Sequence, residues 1–204
     1  MNKLAIAFVA LAFVTISTIS QASNPQPALP KCNLTEATAP TVRGLRLGMS
    51  TQQLLALFPG SSKRKEMKEA VEKAKAATGN EAAYLVFDPA TEGDAKQFGG
   101  VESVSAGVNK GRVIDFSIQY GGATWRDVDE WVAKLSESLK LQGAGDWTVG
   151  PSENPNKVLR CEGIEIEAAI QGGGSSIRIR NMEDVKVVAD RNAADEKKRR
   201  EIKP

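Results

Sequence analysis

GLRLGMSTQQLLALFPG, residues 44–60, contains the best-defined helix start of the chain. Ser50 and Gln53 have the spacing of a capping box, in which each side chain accepts a hydrogen bond from the main-chain N–H of the other residue. Apolar residues on both sides of the cap complete the motif, whose residues are Gly48, Met49, Ser50, Gln53 and Leu54. Pro59-Gly60 ends the pattern. The stretch therefore predicts a short helix over residues 51–58.

Two periodicities divide the rest of the chain. Apolar residues three and four positions apart predict further helices, one over residues 63–77 and one that starts at Thr124 with Asp127 as its capping partner. Residues 182–202 are dense in Lys, Arg, Asp, Glu and Ala, which predicts a solvated terminal helix, with disorder of the last ten residues as the alternative. Alternating apolar and polar residues predict strands, at residues 84–87, 101–108, 112–120, 147–149, 157–161, 164–170 and 176–180. We expect a turn over residues 171–175 between the last two strands. The fold class is α+β: short helices packed on an antiparallel β-sheet, with a charged C-terminal helix.

The helix start at Ser50 has a counterpart later in the chain. Gly122-Ala123-Thr124 followed by Asp127-Val128 repeats the order glycine, apolar residue, hydroxyl cap, capping partner, apolar residue. A β-hairpin is predicted after each copy. Two interpretations stay open. Either the domain consists of two degenerate helix-plus-hairpin repeats, residues 42–121 and 122–181, or two helix starts are alike because the same physics selects them.

The N-terminus has the three parts of a secretory signal peptide. Lys3 is followed by an apolar run from Leu4 to Val14 and then by Ser20-Gln21-Ala22, a small-x-small cleavage pattern. The run is shorter than the roughly 20 apolar residues of a membrane-spanning helix, although a permanent N-terminal anchor is the alternative. We expect a signal peptide at residues 1–22 and a protein that is periplasmic or secreted, with no stable membrane insertion after cleavage.

Composition sets the remaining domain boundaries. Residues 23–41 are rich in proline and small polar residues, which predicts a linker. Residues 42–181 carry the alternating helices and strands and form the α+β domain. Residues 182–204 are dense in charged residues and form a charged C-terminal helix or tail.

The chain has two cysteines, Cys32 and Cys161. In an oxidising compartment a disulfide between them is the natural prediction. Such a bond closes a loop of about 130 residues, which constrains the unfolded chain by roughly 4–5 kcal/mol in the chain-entropy model. The alternative is two buried thiols.

Polar residues on the predicted solvated faces of two strands form the candidate binding surface: Asp115, Ser117, Gln119, Glu165 and Glu167. Glu165 and Glu167 are two positions apart and therefore share one face of their strand. Carboxylates in that arrangement suit cation binding or glycoside chemistry. A solvated strand face is the more ordinary explanation.

The sequence contains no histidine. This excludes nucleophile arrangements that use a histidine base, and it excludes most zinc and copper sites. The net charge of +2 does not indicate a nucleic-acid partner. The sequence thus predicts no catalytic or metal-binding residue and no cofactor.

Residues 44–60 resemble the SmpA/OmlA-like small outer-membrane lipoproteins and the related β-lactamase-inhibitor-protein-like fold. The resemblance is carried by the segment from Gly44 to Leu54 and by Phe58-Pro59-Gly60. It implies two helices before an antiparallel sheet of three or four strands, a unit that some members carry twice, and a role in binding other proteins. The chain departs from the lipoproteins because no cysteine directly follows its apolar N-terminal run.

These observations predict an exported, non-catalytic protein-interaction module of the cell envelope or the secreted fraction. Its expected partner is another protein. The alternative is a small hydrolase or glycan-active enzyme that uses aspartate and glutamate side chains.

Overall fold

The predicted capping box at Ser50 is present at the start of the first helix. Ser50 Oγ accepts a hydrogen bond from Gln53 N at 3.1 Å, and Gln53 Oε1 accepts one from Ser50 N at 2.9 Å. The computed structural model describes residues 32–76, 82–122, 125–141, 144–171 and 173–201. The predicted signal peptide, residues 1–22, lies outside these ranges. The helix itself is confirmed as α1, Thr51–Leu57.

The other elements follow in the predicted order. After a 3-10 turn at Pro59–Lys63, the further helices within the described ranges are α2 (Lys65–Ala76), α3 (Pro89–Glu92), α4 (Val128–Leu139), a 3-10 turn at Ala144–Asp146, and α5 (Met182–Glu201). The strands are β1 (Ala83–Phe87), β2 (Val101–Asn109), β3 (Arg112–Tyr120), β4 (Thr148–Val149), β5 (Asn156–Arg160), β6 (Ile164–Gln171) and β7 (Gly174–Asn181). Short α3 and the two 3-10 turns were not predicted from the sequence.

The seven strands form one antiparallel sheet in the order β1-β2-β3-β7-β6-β5-β4. The predicted α+β class is thus confirmed. The last strands of the two predicted halves, β3 and β7, pair in the middle, where Phe116 lies opposite Ile179. Each half therefore contributes one flank of the sheet. Duplication of an ancestral half stays a prediction.

Helices α1, α2 and α4 cover one face of the sheet. Phe58, at the end of α1, stacks on Phe87 of β1 with ring centroids 4.3 Å apart. The strands turn every second side chain toward these helices, and the buried residues of that face include Leu85, Phe87, Val104, Ala106, Phe116, Ile118, Ile166, Ile177 and Ile179. The alternate side chains lie on the opposite surface, which we call the polar face.

The start of α4 differs from the prediction. Thr124 lies outside the described residues, and the helix is capped by Asp127, whose carboxylate accepts a hydrogen bond from Glu130 N at 2.9 Å. Asp127 is therefore the cap and not the partner of one. Aspartate is as good a cap as a hydroxyl residue, so the sequence is compatible with a cap at Thr124 or at Asp127. The position-by-position match with the Ser50 motif is wrong at this cap.

The turn between β6 and β7 is also shorter than predicted. The ladder runs on to Gln171 opposite Gly174, so Ser175 and Ser176 belong to β7 and not to a five-residue turn. Gly173 has φ 83°, a left-handed conformation that glycine adopts without steric cost. Tight hairpin connections match the twist of the flanking strands better than longer loops do.

The N-terminal segment is fixed to the domain by a disulfide between Cys32 and Cys161, which confirms the predicted pairing. Leu34 and Ala39 pack against the core. Residues 32–41 are therefore part of the packed domain, which corrects the predicted linker 23–41 in its second half. A linker has no apolar contacts to hold it, whereas this segment has both a covalent tie and apolar anchors.

Candidate functional site

The predicted binding surface spans two strands that are not neighbours. Asp115, Ser117 and Gln119 lie on β3, and Glu165 and Glu167 lie on β6. Strand β7 runs between them, and it places Arg178 opposite both Ser117 and Glu167 and places Arg180 opposite both Asp115 and Glu165. The structure therefore brings all five predicted residues onto the polar face, separated by a row of arginines.

Two of these five side chains are buried, contrary to the prediction of a solvated face. Asp115 is 3% exposed and Glu165 is 5% exposed, whereas the other three are half-buried. Asp115 accepts hydrogen bonds from Gly107 N at 3.1 Å and from the Arg178 guanidinium. Carboxylates are buried in proteins when cations and N–H donors compensate them, and here the arginines of the next strand do so.

Glu165 and Glu167 share one cation. Arg180 lies between them, 2.9 Å from Glu165 and 2.7 Å from Glu167. Arg160 of β5 donates a hydrogen bond to Glu165 at 2.9 Å, and Asn156 donates one to Glu167 at 2.8 Å. The alternating row Asp115, Arg178, Glu167, Arg180, Glu165 and Arg160 crosses four strands, and we call it the charge ladder.

The charge ladder contains three acids and three arginines and is therefore neutral as a unit. Burial opposes the charged form of Arg178, but its hydrogen bond and charge attraction to Asp115 raise its pKa above the usual value. Each carboxylate has at least one oxygen paired with a guanidinium group, and the second oxygens of Asp115 and Glu167 accept from Gly107 N and from the Asn156 amide. The ladder thus cross-links β3, β7, β6 and β5, and its polar atoms are largely satisfied within the chain.

The structure also shows a surface that the periodicities did not single out. Strand β1 is at the edge of the sheet, and its outer side pairs with no strand among the described residues. Tyr84 and Val86, which lie opposite Gly107 and Ser105 on the polar face, are 57% and 55% exposed. Large apolar side chains at an unpaired sheet edge are a template for association with another chain.

A groove runs beside this edge. Its volume is about 270 Å³, and α2 forms its second wall. The groove is lined by Arg64, Glu66, Met67, Ala70, Tyr84, Leu85 and Val86. Arg64, the residue before α2, donates a hydrogen bond to the main-chain oxygen of Val86. Because antiparallel strands direct the N–H and C=O of alternate residues outward, the main-chain groups of Tyr84 and Val86 face away from β2. We call β1 and this groove the β1 edge site.

The sequence indicates the strand of this site but not its position at the edge of the sheet. The Tyr84–Phe87 strand was predicted, and its alternation exposes Tyr84 and Val86. Its place at the edge depends on the order of strands in the sheet, which a single sequence does not encode.

Among the described residues, no three His, Cys, Asp or Glu side chains converge on a point that would hold a metal ion. In the same ranges, no helix has both the length and the apolar character to cross a membrane. Comparison of the chain with protein-family models, with curated proteins and with solved structures finds no match. The resemblance of residues 44–60 to the SmpA/OmlA-like and β-lactamase-inhibitor-protein-like families thus stays a prediction.

Proposed function

We propose that this chain is an exported, non-catalytic protein-binding module that takes up an extended segment of its partner along β1. The observation that carries the proposal is the β1 edge site, where β1 has no strand on its outer side in the described part of the chain and Tyr84 and Val86 are exposed beside an open groove. In this mode of recognition, main-chain hydrogen bonds supply affinity and side-chain pockets supply specificity.

The chemistry of the site describes the partner segment. Tyr84 and Val86 present apolar surface at alternate positions, and an added strand would place its own alternate side chains beside them. Met67 and Ala70 make the groove wall apolar as well, with Arg64 and Glu66 at its border. The partner segment is therefore extended and apolar at every second residue. The site, with Arg64 and Glu66 both lining the groove, does not favour a segment of either net charge.

The charge ladder has a structural role in this proposal and is not the binding surface. Because its acids and arginines are already paired with one another, binding a partner there would first have to break existing ion pairs. The ladder is better suited to holding the sheet rigid behind the edge, so that β1 is preorganised for association.

Export is part of the proposal. The tripartite pattern of residues 1–22 and the Cys32–Cys161 disulfide support a periplasmic or secreted location, because disulfides persist in oxidising compartments. N-terminal sequencing of the protein from fractionated cells tests this part. A mature chain that begins at Ser23 is the expected result, and a chain that retains Met1 would contradict it.

Affinity capture with two matched variants tests the binding mode. Val86 on β1 and Val149 on β4 are exposed valines at opposite edges of the sheet, 55% and 80% exposed. The mature chain, Val86→Lys and Val149→Lys are each used as bait in an envelope extract of the source cells. We expect one protein to be captured by the unchanged chain and by Val149→Lys, and to be lost with Val86→Lys.

Capture that is equal for the two lysine variants would overturn the β1 edge site as the binding surface. Circular dichroism of both variants confirms that the bait is folded, since surface substitutions of this kind change stability little.

A further inference from the structure

A second cavity lies on the helix-covered face of the sheet, between α4 and the adjoining ends of β3 and β7. Its volume is about 490 Å³, within the range of small-molecule sites. The residues that shape it include Tyr120, Trp125, Trp131, Leu135, Leu139 and Ser175. We call it the aromatic cleft. Strand β2 lies between it and the β1 edge site.

Three aromatic rings form a fixed wall of the cleft. The centroid of Trp131 lies 5.5 Å from that of Tyr120 in an edge-on arrangement, and 5.3 Å from that of Trp125. Trp131 Nε1 donates to Ser176 O at 2.9 Å, which sets the orientation of the central ring. The wall is thus preformed for a flat apolar body.

Ser175 supplies an unused polar group. It is 2% exposed, it lines the cleft, and its Oγ has no hydrogen-bond partner among the described residues. Ser175 has the same orientation as Ile177 two residues on, toward the helices. Buried hydroxyls without a partner are rare in folded proteins. This hydroxyl is therefore available to a ligand in the cleft.

Arg43 and Lys134 supply positive charge. Both line the cleft, and no Asp or Glu is among its described lining residues. Arg43 has φ 53°, a left-handed conformation that costs energy for a residue with a side chain. The Gln97 amide donates to Arg43 O at 2.6 Å and holds this backbone in place. The guanidinium donates to the main-chain oxygens of Gln97 at 2.9 Å and Gly99 at 3.4 Å and to the Tyr120 hydroxyl, and its remaining N–H groups are left for a ligand. Such strained residues concentrate at ligand sites.

We propose that the aromatic cleft binds a small aromatic carboxylate that carries a hydrogen-bonding group on its apolar body. The body packs against Tyr120, Trp125 and Trp131. The carboxylate is bound by Arg43 and Lys134, and the group on the body is bound by Ser175. Lys134 also pairs with Glu137 at 2.7 Å, and this exposed ion pair opens at little cost when the ligand arrives.

Titration calorimetry with 6-hydroxy-2-naphthoate tests the proposal. We expect saturable binding with one ligand per chain, and about tenfold weaker binding of the uncharged 6-hydroxy-2-naphthamide, because charge-assisted hydrogen bonds are the stronger ones. Arg43→Gln and Lys134→Gln should each weaken binding of the acid several-fold. Lys65→Gln removes a comparable exposed lysine that pairs with Glu69, and it should change nothing.

Ser175→Ala separates binding from folding. Removal of an unpaired buried hydroxyl should leave the unfolding midpoint unchanged or raise it, while the affinity for the acid should fall about fivefold by loss of one hydrogen bond. No saturable heat at millimolar acid, or equal affinity for acid and amide, would overturn the proposal. If Ser175→Ala binds the acid with unchanged affinity, Ser175 is not part of the site. The proposed hydrogen-bonding group on the apolar body of the ligand is then wrong as well.

Discussion

Arg64, the residue before α2, donates a hydrogen bond to the main-chain oxygen of Val86 in the edge strand β1. The same guanidinium lies 2.6 Å from the carboxylate of Glu92, which is only 7% exposed and also accepts from Asp88 N at 3.0 Å. One side chain thus connects the helical layer, the edge strand and α3. It occupies the outward acceptor of Val86, and within the described ranges no hydrogen bond to the outward main-chain groups of Tyr84 is seen.

Arg64→Ala is expected to destabilise the domain by about 2 kcal/mol, because it leaves the buried Glu92 carboxylate without its cation while the half-exposed arginine itself contributes less than a fully buried one. Urea unfolding measures the change. The double variant Arg64→Ala with Glu92→Gln should recover part of the loss, since no buried charge then lacks a partner. A single variant as stable as the unchanged chain would contradict this role.

A second prediction concerns Gly48, two residues before the Ser50 cap of α1. It has φ 71°, and a Cβ there would lie 2.3 Å from Glu36 Oε1. Glu36 is fixed by Arg112 at 3.0 Å and by Asn181 at 2.8 Å, so it does not move away freely. We expect Gly48→Ala to cost about 1–2 kcal/mol for the left-handed backbone and a further 1–2 kcal/mol for the clash.

Gly122→Ala is the matched control for Gly48→Ala. Gly122 has φ 78°, and no atom of the described residues lies within 4 Å of its Cβ position. It should therefore show the backbone cost alone. Equal unfolding free energies for the two variants would mean that the contact between Gly48 and Glu36 has no effect.

How much the sequence predicts depends on how local each feature is. The α1 start was predicted because Ser50 and Gln53 act within one turn. The start of α4 was placed wrongly because Asp127 suits the role of cap as well as that of capping partner. Local rules are sufficient when the sequence offers one suitable cap residue, and they fail when it offers two.

Burial of the charge ladder lies beyond such rules. Alternation assigned Asp115 to the polar face of β3, and the structure agrees. The alternation did not indicate that Arg178, 63 residues later in the chain, donates a hydrogen bond to Asp115. Which strand lies beside β3 is decided by the fold as a whole, and so is the exposure of every side chain on that face. The edge position of β1 escaped prediction for the same reason.

The disulfide gives a third prediction. Because Cys32 and Cys161 are 129 residues apart, replacing both with serine should lower the unfolding free energy by about 4–5 kcal/mol in the chain-entropy model. Urea unfolding with and without a reductant measures the effect. A reductant should destabilise the unchanged chain by a similar amount and leave the double-serine variant unaffected. Insensitivity of the unchanged chain to reductant would contradict the covalent tie.

Tyr120 gives a prediction about alkaline stability. Burial raises its pKa above 10.0, although a hydrogen bond from Arg43 and the charge of that arginine act in the opposite direction. Since the folded state holds the phenolic proton more tightly than the unfolded state, this contribution to stability is complete below pH 10 and is lost as the pH rises through the raised value.

Tyr120→Phe should therefore have a flatter loss of stability above pH 10 than the unchanged chain. Phenolate absorbance, taken as the difference between the unchanged chain and this variant, isolates the ionisation of Tyr120. A difference titration centred below pH 10 would run against the prediction.

Amide hydrogen exchange at β1 tests the central claim most directly. The main-chain N–H groups of Tyr84 and Val86 are measured by nuclear magnetic resonance, first in the free protein and then with the captured partner bound. Addition of a partner strand should slow exchange of both amides at least tenfold, because they gain inter-strand hydrogen bonds. If both amides exchange at the same rate in the free and the bound protein, the partner does not pair with β1, and the account of this chain as an edge-binding module is wrong.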